Sequence, residues 1–135
     1  MSECLFCRIA GGEAPAHIIY EDEQAVAFLD IAPWQDGHAL VIPRRHVDNV
    51  LEEDTVLADL SEATTAVARM VMNALNATGC NLVVNSGADA GQEVFHAHVH
   101  VVPRYHHAPG LQRLRSETTA DPAEIKARID VVNAM

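Results

Sequence analysis

His96-Ala97-His98-Val99-His100-Val101-Val102 is the stretch on which the reading of this chain turns. Imidazoles alternate with small or β-branched residues, and strand side chains alternate faces with a period of two. The spacing predicts a strand from Val94 to Val102, stopped by Pro103. It would carry three imidazoles on one face and Ala97, Val99 and Val101 on the other. Such a row is costly in a core, because every ring needs polar partners and adjacent rings cannot all be charged. A lone histidine on a strand is more often structural, whereas three in register point to chemistry.

Two chemistries use such a row. Imidazole is a common ligand for zinc and related metals. Alternatively, a neutral imidazole attacks a phosphoryl centre, while its neighbours donate hydrogen bonds or protonate the leaving group. Mutual repulsion favours at least one neutral ring near neutral pH. The pattern alone leaves both open. Upstream, Asn85-Ser86-Gly87-Ala88-Asp89-Ala90-Gly91-Gln92 is rich in glycine and carboxamide, a composition that can turn backbone N–H groups toward an anion. By itself that stretch reads as an ordinary loop.

Further out, Glu3 to Ile9 reads as a short helix ended by Gly11-Gly12. His17–Tyr20 and Ala25–Asp30 read as a hairpin pair, and His38–Pro43 as a strand. Asp54 to Thr78 carries apolar residues at a period near 3.6, a long helix that Gly79 would end. Cys80–Asn85 is a further strand. Asp121-Pro122-Ala123-Glu124 reads as an N-cap, a proline at the first helical position and a capping-box acid, starting a helix to about Asn133. Strands that follow one another directly favour an antiparallel α+β fold, with one long helix and shorter terminal ones.

With 135 residues the chain is expected to be one domain, residues 1–135. No apolar run approaches the ~18 residues of a membrane span, and the start lacks a signal-peptide pattern. A cytoplasmic protein without a membrane partner is therefore expected. The net charge of −10 argues against a nucleic-acid polymer as partner, but not against a small nucleotide. Three cysteines make a disulfide framework unexpected in a reducing compartment. Cys4-x-x-Cys7 has metal-ligand spacing, and Cys80 reads as a small buried hydrophobe.

The histidine row matches the His-φ-His-φ-His-φ-φ signature of the histidine triad (HIT) superfamily, and the chain resembles the bacterial, Hint-like branch. Similar stretches are Cys4 to Ala16, Tyr20-Glu21-Asp22, Ala27 to Pro33, Gly37 to His46, and Gly91 to Phe95. Together they cover about residues 4 to 107, leaving 108–135 as a C-terminal segment that matches no family pattern. The resemblance implies a HIT-like fold, a homodimer, and a nucleotide hydrolase or nucleotidyl transferase acting at the α-phosphate of purine nucleotide (AMP- or GMP-type) conjugates. It makes His98 the nucleophile, with His100 and His38 on the phosphate or leaving group and His96 orienting the cluster. Asn85, Gly91, Gln92 and Val94 fall at the phosphate side. Glu93 stands where the family often has serine, so its backbone rather than its carboxylate is expected there. Asp30 corresponds to the ribose carboxylate. Leu5, Phe6, Ile9, Phe28 and Ile31 correspond to the apolar walls of the purine pocket. A structural zinc on Cys4, Cys7, His46 and His96 is implied as well, with no catalytic metal.

Nucleoside phosphoramidates are the favoured substrates, with nucleoside monophosphate released through a nucleotidyl-histidine intermediate. Dinucleoside polyphosphates are the second reading. Two rivals are a metal-dependent hydrolase using His96, His98 and His100 as ligands, and a nucleotide sensor without turnover.

Overall fold

A computed structural model describes residues 3–110 and 120–134. In chain order the elements are α1 (Leu5–Ala10), β1 (Ile18–Glu21), β2 (Ala25–Leu29), β3 (Ala39–Pro43), α2 (Val56–Leu75), β4 (Gly79–Val84), a 3₁₀ turn (Ala88–Ala90), β5 (Val99–Arg104) and α3 (Pro122–Asn133). The strands form one antiparallel sheet in the order β1-β2-β3-β5-β4. This is the expected α+β class. Residues 111–119 of the C-terminal segment lie outside the described residues.

Period-two alternation puts two different cores on the two faces of β2 and β3. Ala25, Ala27, Ala39 and Val41 face α2, where Val56, Leu60, Ala63, Val67 and Val71 form its buried stripe. Small residues on the strands let the helix lie close. Val26, Phe28, Leu40 and Ile42 face the other way and bury Phe6 and Ile9 of α1. The register pairs Phe28 with Leu40 and Leu40 with His100, so His100 lies on the α1 face while Val99 and Val101 lie on the α2 face.

Three local expectations need correcting. Helix α2 ends at Leu75, because Asn76 takes the left-handed conformation (φ 54°) and its N–H caps the Met72 carbonyl. Gly79 opens β4 instead of ending the helix. Pro103 does not stop β5, which runs to Arg104. Beyond Val101, β5 has lost β3 and pairs with β4 alone, so a residue without an N–H is tolerated at that position. Finally, β5 begins only at Val99. Its ladder to β3 ends at Val41; the next β3 position whose backbone groups face β5 is Pro43, opposite Ala97, and it has no N–H to give. The Ala97 N–H goes to the Val47 carbonyl instead, at 2.7 Å.

Candidate active site and thiol–imidazole cluster

Because the ladder fails at Pro43, His96 and His98 sit on irregular backbone and only His100 is on the strand. All three rings are buried. Each ring's tautomer follows from the partner of its other nitrogen, since a carbonyl can only accept.

His98 Nδ1 lies 2.7 Å from its neighbour His96's carbonyl and must carry the proton. Its Nε2 is then a lone pair. Burial holds the His98 pKa below the ordinary value, only partly offset by the bond to the His96 carbonyl and by Asp30. The ring is therefore neutral at neutral pH, as a nucleophile has to be.

His38 and His100 form a directed chain. The Trp34 N–H donates to His38 Nδ1 at 3.1 Å, so His38 carries its proton on Nε2. That proton bonds His100 Nδ1 at 2.9 Å, which leaves His100 with its proton on Nε2. Burial, reinforced by His98 and His38, pushes the His100 pKa down to about 4. Burial also lowers His38, against the pull of Asp30. Gly37 makes the turn that delivers His38. Its φ is +87°, and a Cβ there would meet Leu75 at 2.5 Å and Val71 at 2.8 Å on α2.

A cleft of about 210 Å³ opens on His98 and His100, bounded by Asp30, Trp34, Leu40 and Gly91. Glu93 and Val94 also line it. A larger and mostly apolar cleft of about 550 Å³ lies between β1, β2 and α2. It shares only Asp30 with the smaller cleft and takes in His38, but it reaches neither His98 nor His100, which open on the smaller one alone.

The other expected residues divide. Asp30 sits just past β2, where its carboxylate accepts the Ala32 N–H at 2.8 Å and lies 3.7 Å from His38 Nδ1. Phe6, Ile9 and Phe28 are buried in the α1-side core; Phe6 packs edge-on to Phe28 and to His98, with centroids 5.3 Å apart in both pairs. They back the site without lining the cleft. Leu5 and Ile31 are exposed, Ile31 at 90%. Asn85 is half-buried beside Gly91. Gln92 is buried, and its carboxamide is fully engaged. It accepts the Gly87 N–H at 2.9 Å and donates to the Asp48 carbonyl at 2.6 Å and the Val94 carbonyl at 3.0 Å. It holds the loop's shape and offers no spare donor. Two contributors escaped the sequence reading. Trp34 sits in an unpatterned loop. Asp48 follows His46 by two residues, and that proximity was the available signal.

Toward α1 the row ends in a second cluster. His96 donates from Nε2 to the Pro43 carbonyl at 2.8 Å, which turns the Nδ1 lone pair toward Cys4 Sγ (3.4 Å) and Cys7 Sγ (3.5 Å). His46 holds Asp48 through Nε2 at 2.7 Å and presents Nδ1 to Cys7 Sγ at 3.4 Å. The Asp48 bond raises the His46 pKa. Burial works to raise the Cys4 thiol, but bonds from the Cys7 N–H and its neighbours outweigh it and the net shift is downward. The four donor atoms lie within 4.8 Å of one another. Tetrahedral zinc with ordinary Zn–S and Zn–N lengths separates its sulfur and nitrogen ligands by about 3.5 Å, so this donor set fits that metal. Among the described residues the three row histidines do not themselves gather into a ligand group.

The HIT domain family matches residues 11–107. "Protein hit" of Bacillus subtilis is 42% identical over 109 residues, spanning 80% of this chain and 75% of that protein. The crystal structure of SMU.412c from Streptococcus mutans superposes with a TM-score of 0.88 at 38% identity, over 99% of this chain and 85% of that one. Adenylylsulfatase HINT3 of Arabidopsis thaliana is 36% identical over 104 residues, which are 76% of this chain and 53% of that protein. With its histidine row inside the matched span, this chain belongs to the HIT family.

Proposed function

We propose that the protein is a nucleotide hydrolase that cleaves purine nucleotide conjugates, phosphoramidates foremost, at the α-phosphate through a nucleotidyl-histidine intermediate. The observation that carries this reading is the fixed pair of tautomers in one cleft: a lone pair on His98 Nε2 and a proton on His100 Nε2. His98 attacks phosphorus, the N–P bond forms, and the bond to the leaving group breaks. His100 gives its Nε2 proton to the departing nitrogen or oxygen, and the His38 Nε2–H steadies His100 from behind. Water then attacks the phosphoryl–histidine and returns a proton to His100, releasing the nucleoside monophosphate. The name of the Arabidopsis relative supports an adenylyl substrate. Asp30 would accept from ribose hydroxyls. The exposed Ile31 and Leu5 would be covered by a purine, over the core formed by Phe6, Ile9 and Phe28.

Cys4, Cys7, His46 and His96 would hold a structural zinc that fastens α1 to the histidine row. Four protein ligands would leave no position for a substrate, and a reduced thiol pair suits a cytoplasmic setting. A homodimer is supported by the apolar edge of the sheet, where Leu82 and Val84 of β4 are exposed.

The test mixes the protein with an adenosine phosphoramidate in single turnover, beside His98→Ala. AMP release and a trapped adenylated protein are expected only from the native chain. AMP binding without release from either protein would favour the sensor. Release from dinucleoside polyphosphates alone would favour the second substrate class.

A further inference from the structure

Trp34 is the aromatic residue of the cleft, and the reaction so far has no use for it. Its indole stacks on His100, with centroids 4.4 Å apart and an interplanar angle of 19°, and leans on His38 at 4.6 Å. The residue nevertheless remains 50% exposed. A large aromatic residue left half open on a cleft wall is an unfilled contact surface. It is also held in place. Its backbone N–H is bonded to His38 Nδ1, the turn at Gly37 is wedged against α2, and the indole itself rests on the two imidazoles. A fixed ring costs little entropy when a ligand meets it.

We propose that Trp34 sets the leaving-group preference of the site, offering a stacking surface to leaving groups that carry a flat aromatic face. The inference rests on the proposed reaction, in which His100 protonates the leaving atom. A group bonded to that atom must pass His100, and the indole lies against His100. Phe6 occupies the opposite, His98 side of the row and is buried, so the two aromatics serve different ends. Charge points the same way. The cleft is lined by Asp30 and Glu93 and by no lysine or arginine among the described residues. A leaving group made of further phosphates would find no cationic side chain in that lining, whereas an uncharged aromatic one meets the indole.

The test uses two ligands with poor, alkoxide leaving groups, the methyl and benzyl esters of AMP, titrated by calorimetry into native protein, Trp34→Ala and Trp34→Phe. Stacking of one ring predicts that the benzyl ester binds native protein roughly fivefold more tightly than the methyl ester. The ratio should fall to about one in Trp34→Ala and be partly kept in Trp34→Phe, which also serves if the alanine variant folds poorly. Trp34 is the only tryptophan of the chain, so its emission should change more with the benzyl than with the methyl ester. Equal affinities in native protein, or a ratio that survives Trp34→Ala, would overturn the proposal while leaving nucleotide hydrolysis standing. Failure of both esters to bind native protein would instead remove the nucleotide reading, and this proposal with it.

Discussion

His96 and His98 are two residues apart, equally buried, and present opposite nitrogens to their surroundings. His96 spends its Nε2 proton on the Pro43 carbonyl and turns Nδ1 to two thiols. His98 spends its Nδ1 proton on the His96 carbonyl and leaves Nε2 to the cleft. Nothing in the imidazole distinguishes them. The backbone does, because the ladder fails at Pro43 and leaves carbonyls aimed at the rings. One failure of pairing thus turns a ring nitrogen to two thiols at one end of the row and a ring nitrogen to the cleft at the other.

If the two ends differ as described, removing their key atoms should give different kinds of damage. His98→Ala is expected to lower single-turnover AMP release by more than about a thousandfold with little change in melting temperature. Quench-flow and calorimetry read the two quantities. Equal loss of stability would show that His98 is structural. Cys7→Ser should do the reverse. Loss of a structural metal is expected to lower the melting temperature by roughly 10 °C, and a chelator should reproduce the shift in native protein only. A Cys7→Ser protein that melts like the native one would rule out a stabilising metal at this cluster.

Much of the frame was open to sequence reading, and the reasons are local. Strands β2 and β3 are short apolar runs between polar turns, α2 has a strong period, and α3 is N-capped by Asp121, whose side chain accepts the Ala123 N–H at 2.9 Å. What stayed hidden depends on distant partners, one helix end aside. Asn76 takes the left-handed turn ahead of Gly79, since asparagine tolerates that conformation and competes with the glycine for the end of α2. The shortened β5 required knowing that Pro43 would face position 97. The resemblance puts Gln92 at the phosphate side, and what sequence could not show is that its hydrogens go to the Asp48 and Val94 carbonyls, one of them 44 residues away. Trp34 is invisible for the same reason, since its place is set by contacts with His38 and His100.

Acid should test the buried row as a whole, and His100 most sharply. His100 titrates at about 4 in the folded chain, and near 6.5 when unfolded. Between those values the unfolded chain binds the extra proton, so stability falls as pH drops from about 6.5 toward 4, by roughly 3 kcal/mol for this ring. Above 6.5 both states are neutral at this position and it contributes no slope. His38, His96 and His98 are lowered too and share that slope, so His100→Asn should make it shallower in urea titrations between pH 7 and 4 without removing it. An unchanged slope would mean that the ring is charged within the fold.

Gln92 ties the two ends together, and its variants give the smallest and most informative effect. Its oxygen takes the Gly87 N–H on the loop beside the cleft, and its nitrogen holds the carbonyl of Asp48, whose carboxylate orients His46 in the thiol cluster. Gln92→Ala leaves one N–H and two carbonyls without these partners, a loss of about 1–3 kcal/mol if water does not replace it. The expected result is a fall in kcat/KM of roughly tenfold together with a few degrees in melting temperature. Gln92→Glu keeps the acceptor for Gly87 but loses both donors. It should therefore retain the loop contact while placing a carboxylate against the Asp48 and Val94 carbonyls. If the ends are coupled through this side chain, the glutamate variant loses metal affinity more than it loses turnover, and the alanine variant loses both. If both variants lose turnover alone, the loop and the thiol cluster are independent, and the Asp48 carbonyl is held well enough by its own backbone.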